Sequence, residues 1–391
     1  MLIRKAAVNN FQDALKLVEK TGADSRAHTL LAKKALLVPV IIENIDNRAA
    51  NILKQEAIRV GADAAVSENV GRFKQGFSNV ALFATLRQCE ILKNKLSAQP
   101  LSALKEVSAV ITSGVAARQS RIFKYKNKVV DLKYPAVMGI INLDPKSFSQ
   151  DGLTNIDKAV EQAVRFEKEG AKIIDIGAES SRPGSRPLDA KTEIKRLLPA
   201  LKKIRKAVKA PISIDTYKYE TAKAALAEGA DIINDIFALQ KGGDKLAKLT
   251  AQTKAGIILM HMQGNPKTMQ KAPKYKDVVS EVYEFLLERK NYALSFGIKE
   301  ENIAVDPGIG FGKTASHNFE LIKNLKTFSA LGAVVGAVSR KRFVKETAGA
   351  ETTSFVAVNL LAAFCGANII RAHDVKETVN ALKLIKAAGE I

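Results

Sequence analysis

The sequence predicts an α/β protein whose larger part is a (β/α)8 TIM barrel, with a smaller N-terminal mixed α/β domain ahead of it. Three observations carry this. From Ala136 onward, short apolar runs alternate strictly with amphipathic stretches, eight of each, and right-handed crossovers of that length close readily into a barrel. Each apolar run also turns polar at its end. In AKIIDIGAESSRPG (171–184) the β-branched Ile173, Ile174 and Ile176 surround a carboxylate, Asp175, and lead into Glu179, Ser180, Ser181 and Arg182 before Pro183 and Gly184 turn the chain. Polar chemistry at the carboxyl ends of strands is where α/β barrels and open α/β sheets hold their active sites. Finally, 391 residues exceed the roughly 250 of a single barrel, which leaves room for an extension. A doubly wound open sheet is the alternative architecture.

We divide the chain at 125/126. In the first part, LLVPVII (36–42) reads as a strand, and AANILKQEAIRVGA puts Ala50, Leu53, Ala57 and Ile58 on one helical face, with Asp46 or Asn47 as cap and Gly61 as stop. A strand in NVALFA and a helix in TLRQCEILKNKLS follow. None of this carries a motif with assignable chemistry, and His28 lies in a helical stretch. QSRIFKYKNKVVDLKYP reads as a polar, basic linker ended by Pro135.

In the second part, strand AVMGIINL precedes the loop DPKSFSQDG and helix NIDKAVEQAVRFEKEG, whose apolar face is Ala159, Ala163, Val164 and Phe166. Strand KIIDIGA leads to a helix that Pro199 should kink. Strands PISIDT, DIINDIF and GIILMH each precede a helix, the last through MQGNPKTMQKAP. IAVDPG, AVVGAV and IIRAHD, with helices HNFELIKNL, TTSFVAVNLLAAFCG and VKETVNALKLIKAAG, complete the alternation. His261 suits either the core or a substrate pocket, and His317 with Asn318 starts a helix. Gly308, Gly310 and Gly312 are read as backbone requirements.

Composition narrows the function classes. The formal net charge is +21, but residues 1–125 hold 19 Lys and Arg against 10 Asp and Glu and the remainder 42 against 30, so no basic tail marks a nucleic-acid binder. A solvated basic surface that draws in anionic small molecules is the expectation. Two cysteines, Cys89 and Cys365, make neither a disulfide framework nor a zinc cluster and are read as small core residues of a reducing compartment. No apolar run is long enough to span a bilayer, and the N-terminus lacks a signal core, so a cytoplasmic protein without a membrane partner is expected.

MGIINLDPKSFS, IIDIGAESSRPGS, SIDT, IINDI, DPGIGFGK, SRK and RAHD, in that order and each closing a strand, resemble dihydropteroate synthase over residues 136–388. The resemblance implies condensation of 6-hydroxymethyl-7,8-dihydropterin pyrophosphate with p-aminobenzoate, giving 7,8-dihydropteroate and pyrophosphate, with Mg²⁺ as cofactor and a homodimer formed through barrel helices. It places Asn142 on the metal and pyrophosphate. An amide oxygen is a hard ligand suited to Mg²⁺. Arg371 and His373, one residue apart on a strand, face the same way and are assigned to the diphosphate. Asp215, Asn234 and Asp306 are assigned to the pterin, with Asp175 in support and Lys341 at a ring acceptor. Ser181, Arg182, Pro183 and Phe311 shelter p-aminobenzoate, and Ser339 takes its carboxylate. By the same resemblance, pyrophosphate leaves first, the aniline nitrogen attacks a pterin-stabilised cation, and Arg182, Lys341, Arg371 and His373 serve catalysis.

The first loop departs from the family's usual NVTPDSFSDGG by carrying Asp144, Lys146 and Gln150, and Ala178 and Ala337 replace a customary Gly and Met. Asp144, two residues beyond Asn142, is expected to join or support the Mg²⁺ site. Other readings of such a barrel are a catalytically weak pterin-binding paralogue and a methyltetrahydrofolate-dependent methyltransferase; the SSRPG loop and SRK favour the synthase.

Overall fold

The structure, a computed structural model, describes residues 10–112, 122–143, 155–179, 187–265 and 268–388, together with residues 1, 3, 6 and 8. The chain forms two compact units, Met1–Ala117 and Arg118–Ile391.

The first unit is a three-stranded antiparallel sheet, β1 (Leu37–Asp46), β2 (Asp63–Val66) and β3 (Phe77–Thr85), in the order β1-β3-β2. Asp46 caps helix Asn47–Arg59 by accepting from the Arg48 and Ala49 amides. Ala50, Leu53 and Ala57 of that helix enter a core with Leu82, Cys89 and Leu92. Ile58, expected on the same face, is instead 50% exposed, because Ala50, Leu53 and Ala57 already fill the narrow stripe that meets the sheet. His28 lies in helix Ser25–Lys34 with Nε2 at 2.8 Å from the Ala23 carbonyl.

The second unit opens on a hairpin, β4 (Ile122–Tyr125) and β5 (Lys128–Asp131), in the stretch the sequence reads as a linker. Eight parallel strands follow: β6 (Ala136–Asn142), β7 (Ile173–Gly177), β8 (Ile212–Asp215), β9 (Ile232–Asp235), β10 (Gly256–Met260), β11 (Ile303–Asp306), β12 (Ala333–Gly336) and β13 (Ile369–Ala372). They close in sequence order, β13 beside β6 and β9 beside β10. A helix or helix pair follows each strand; after β12 the short helix Arg342–Ala348 precedes the expected Thr352–Phe364. Helix Ala190–Ala207 continues through Pro199 without a break. No helix among the described residues is long and apolar enough to cross a membrane.

Strand periodicity layers the barrel interior. Ile174, Ile176, Ile233, Ile257, Leu259 and Ile370 point outward into the packing between strands and helices. Ile173, Ile232, Ile258, Ala304 and Ile369 point inward and form an apolar lower layer, against which the hairpin packs Phe123, Tyr125, Val130 and Leu132. Two residues further along the same strands, on the same inward face, stand Asp175, Asn234, Met260, Asp306 and Arg371. The barrel is therefore apolar at its floor and polar at its mouth.

The hairpin fits tightly. A Cβ on Gly256 would stand 2.8 Å from the Phe123 ring and 3.3 Å from the Lys124 carbonyl. Since Phe123 is wholly buried, Phe123→Ala should destabilise the barrel by about 3–5 kcal/mol in chemical denaturation. A chain starting at residue 118 should likewise unfold at higher denaturant than one starting at 126, which lacks Phe123 and Tyr125. Equal midpoints would show the hairpin to be dispensable.

Candidate active site at the barrel mouth

Arg371, from the last strand, reaches across the mouth to carboxylates of the second and third. Its Nε donates to Asp175 Oδ2 at 2.8 Å, and one terminal nitrogen lies 2.6 Å from Asp175 Oδ2 and 2.9 Å from Asp215 Oδ2. Asn234 Nδ2 approaches the same Asp175 oxygen at 3.4 Å. Asp175 is wholly buried, and its Oδ1 has no hydrogen-bond partner among the described residues, so acceptor capacity remains. Burial works against the Arg371 charge, but Asp175 and Asp215 outweigh it and raise its pKa. Asp215 moves up to about 7: burial is the main cause, Arg371 opposes it, and Asp175 adds to it.

Asp306 ends β11, where its Oδ1 accepts the Gly308 amide at 2.7 Å; burial raises its pKa. Gly308 must be glycine. Its φ is +65°, and a Cβ there would lie 1.8 Å from the His261 carbonyl oxygen. Gly312, at φ +59°, meets the Gln263 carbonyl in the same way, so the backbone reading of these glycines holds. The loop they shape presents Phe311, over whose ring Lys341 Nζ sits at 4.1 Å. Phe311 belongs to an apolar wall with Ile236, Phe237, Met260, Met262 and Met269. Burial lowers the pKa of Lys341 to about 8, with Arg371 adding to the effect.

On the neighbouring side of the mouth, Ser339 Oγ lies 3.3 Å from His373 Nδ1 and accepts the His373 amide at the same distance. Burial, helped by Arg340 and Arg371, lowers His373 to about 3, so its ring is neutral at physiological pH. β13 ends at Ala372, so His373 lies just beyond the strand; Arg371 spends part of its fork on Asp175 and Asp215, and His373 turns to Ser339.

Asn142 closes β6. A Cβ on Gly177 would lie 3.7 Å from Asn142 Oδ1 and 3.8 Å from Asp215 Oδ2, so an amide oxygen and a carboxylate flank one strand end. No group of three or more His, Cys, Asp or Glu among the described residues could hold a metal. Hard oxygens in so small a number fit Mg²⁺, which keeps several waters and shares its coordination with phosphate. Ser181, Arg182 and Pro183, and likewise Asp144, Lys146 and Gln150, lie outside the described residues.

Two clusters escape the sequence reading. Lys313 is buried, and its Nζ meets His261 Nδ1 at 2.9 Å and the carbonyls of Gly308 and Phe311 at 3.0 Å each. It thereby ties the glycine loop to the end of β10. His261 packs edge-on against Phe285 at 4.9 Å, and burial and Lys313 push its pKa to about 2. It is a core histidine next to the site. Glu179 accepts from Lys218 Nζ at 2.6 Å, from Tyr217 at 3.2 Å and from the Leu188 amide at 2.8 Å, while Lys218 also meets buried Glu193 at 2.9 Å. For Lys313 the sequence holds only a lysine after a glycine run. The remaining histidine, His317, caps helix Ala315–Lys323 with Thr314.

Comparison with known proteins agrees with this geometry. Residues 138–373 match the family described as pterin binding enzyme. Dihydropteroate synthase of Escherichia coli (strain K12) is 41% identical over 265 residues, 66% of this chain and 93% of that protein. A probable bifunctional folylpolyglutamate synthase/dihydropteroate synthase of Haloferax volcanii is 33% identical over 395 residues, 97% of this chain and 46% of the relative, so the alignment takes in the N-terminal unit as well. Among solved structures, Xanthomonas albilineans dihydropteroate synthase with 4-aminobenzoic acid superposes with a TM-score of 0.65 at 37% identity, covering 70% of this chain and all but 1% of that one. The same enzyme in complex with 7,8-dihydropteroate gives 0.61 at 34% identity, with 70% and 100% coverage.

Lys313 yields a pH test. Burial lowers its pKa to about 7 from an ordinary 10.5, so between those values the unfolded chain binds a proton that the folded chain has released. Stability must then rise with pH across that window. Lys313→Met should remove much of the rise seen by urea denaturation between pH 7.5 and 9.5, and should destabilise the barrel at the upper pH by stranding His261 and two carbonyls. An unchanged slope would show that Lys313 is not the proton carrier.

Proposed function

Since the chain belongs to the dihydropteroate synthase family of pterin-binding enzymes, we infer that its barrel condenses 6-hydroxymethyl-7,8-dihydropterin pyrophosphate with p-aminobenzoate to give 7,8-dihydropteroate and pyrophosphate. The observation that carries this reading to particular residues is the mouth itself. In an otherwise apolar interior, Asp175, Asp215, Asn234, Asp306 and Arg371 gather at the inward-facing ends of their strands, and Lys341 follows β12 into the same mouth.

A pterin presents donors and acceptors along one edge. Asp215, Asn234 and Asp306 take that edge, with Asp175 holding Arg371 in place and offering its free Oδ1, and Lys341 donates to a ring acceptor. Phe311 and the methionine wall supply an apolar platform for the aminobenzoate ring beside the pterin, and Ser339 receives its carboxylate. Reaction requires the bond from the pterin methylene to the diphosphate oxygen to break first, after which the aniline nitrogen bonds to the cationic carbon and loses a proton. Arg371, which meets its two carboxylates through Nε and one terminal nitrogen, and His373, as a neutral donor, hold the diphosphate oxygens as charge builds on them. Asn142 would hold Mg²⁺, which when bound would supply positive charge to the leaving group. Arg182, Ser181 and Pro183 complete the aminobenzoate side on the strength of the family motif.

The family reading also makes the protein a cytoplasmic homodimer. Leu361 and Phe364 of helix Thr352–Phe364 are 42% and 62% exposed, and Leu361 borders an apolar cavity of about 430 Å³ with Phe319, Val344 and Val358. Pairing through this face would bury them, and sedimentation of the purified chain at a single-barrel mass would remove the dimer.

Dihydropteroate should form only when the pterin pyrophosphate, p-aminobenzoate and Mg²⁺ are all present; pyrophosphate release without p-aminobenzoate would contradict the second substrate. Lys341→Ala removes a charge-assisted hydrogen bond of about 1.5–3 kcal/mol, and kcat/KM should fall roughly ten- to hundredfold. Because burial raises Asp215 to about 7 and the ionised form binds the pterin, kcat/KM should climb as pH rises through that value and level off above it. Asp215→Asn should be slow and lack the climb. A variant that keeps it assigns the titration to another group.

A further inference from the structure

The floor of the barrel carries a second concavity that the catalytic reading does not use. A cavity of about 510 Å³ opens between the β4–β5 hairpin, the C-terminal end of helix Gly243–Thr253 and the turn after helix Val278–Ser295. Five of its lining residues are lysines, namely Lys124, Lys126, Lys128, Lys254 and Lys299, and Glu301 is its one carboxylate. Glu301 answers Lys124 at 3.4 Å, and Asp231 answers Lys126 at 3.1 Å. Lys128, Lys254 and Lys299 have no ion-pair partner among the described residues. Like charges around one concavity repel unless an anion sits among them.

Two of these lysines also occupy backbone positions that suit glycine. Lys126, in the hairpin turn, has φ +50°, and Lys254, after the helix, has φ +53°; the Lys126 amide donates to the Lys254 carbonyl, which fixes the two against each other. A left-handed residue with a Cβ is disfavoured relative to the right-handed form, a penalty that glycine escapes. Lysine stands at both places. The helix dipole favours a cation at Lys254 but does not account for Lys128 on the hairpin or Lys299 on the following turn.

We propose that this cavity is a second anion site, which takes a small, multiply charged phosphoryl anion of the size of di- or triphosphate. Its volume lies in the range of small-molecule sites, and ammonium groups on flexible stems suit phosphate oxygens as point charges. No aromatic side chain lines it, so it offers no stacking platform for the bases of a single strand. It is separate from the catalytic mouth. β10 runs from Gly256, next to the lining residue Ala255, to Met260 at the mouth, five residues or roughly 16 Å at about 3.3 Å each.

The test titrates inorganic triphosphate into the full chain by calorimetry, without Mg²⁺ and at constant ionic strength. Two equivalents should bind, one at the mouth and one at the floor. In the triple variant Lys128→Ser, Lys254→Gly, Lys299→Ser only the mouth site should remain, with condensation activity within twofold of the parent, since none of the three approaches the catalytic residues. Glycine relaxes the backbone at 254 and the other two side chains are exposed, so the fold should persist. If circular dichroism shows otherwise, Lys299→Glu alone should weaken the second site at least tenfold. One equivalent in the parent chain, or unchanged stoichiometry in the variants, would overturn the site. Tighter binding of a single-stranded oligonucleotide than of triphosphate, lost in the same variants, would overturn it in favour of a nucleic-acid surface.

Discussion

Everything at the mouth depends on one buried charge arrangement, the Arg371 guanidinium held between Asp175 and Asp215. None of the three tolerates removal of its partners, because an ion buried without a counter-ion costs several kcal/mol. Barrel closure is what brings them together. Arg371 lies 196 residues from Asp175 in sequence, yet β13 and β7 both flank β6, so their inward faces converge across the interior. The net carboxylate charge of the cluster is then set by Asp215, whose burial lifts it into the range where a ligand can decide its protonation. A barrel that closes in another order would separate these groups and strand each of them.

That arrangement constrains the rest of the interior. A polar layer cannot be stacked on another polar layer without further partners, and the layer beneath is accordingly aliphatic, with Ile173, Ile232, Ile258 and Ile369 sealed from below by Phe123 and Tyr125. The hairpin therefore belongs energetically to the barrel: it keeps water from the underside of a site whose ion pairs depend on a dry surrounding. Function at one end and closure at the other are two consequences of the same strand alternation.

Much of this was legible in the residues. A short β-branched run ending in a carboxylate or amide marks both a buried strand and an inward polar position, so Asp175, Asp215, Asn234 and Asp306 were identifiable from local sequence together with the motif order. The hairpin was not, because five charged residues from Arg121 to Asp131 mask the period-two signal of Phe123, Tyr125 and Val130. Lys313 and Glu179 were missed for a different reason. A lysine after glycine and a glutamate after a strand look solvated in one dimension, and their partners, His261 and Lys218, come from other strands. Ile58 shows the converse error, an apolar residue on a plausible helical stripe that the sheet is too narrow to cover.

Three lysines around the mouth, Lys313 buried and Lys218 and Lys341 partly so, show how the surroundings divide the labour of a single residue type. Lys218 lies between Glu179 and Glu193, and although burial works against its charge the carboxylates raise its pKa; it stays an ammonium and acts as a structural clamp. Lys313 is surrounded by neutral acceptors, His261 and two carbonyls, and burial brings it close to neutrality near pH 7, so it holds a loop by hydrogen bonds more than by charge. Lys341 has neither. Its Nζ rests on the face of Phe311, an arrangement that stabilises a cation but saturates none of its donors. Of the three it is the one with hydrogen-bonding capacity left over among the described residues, and it senses the Asp306 and Asp215 carboxylates while resting on Phe311. A ligand acceptor placed there would complete its coordination.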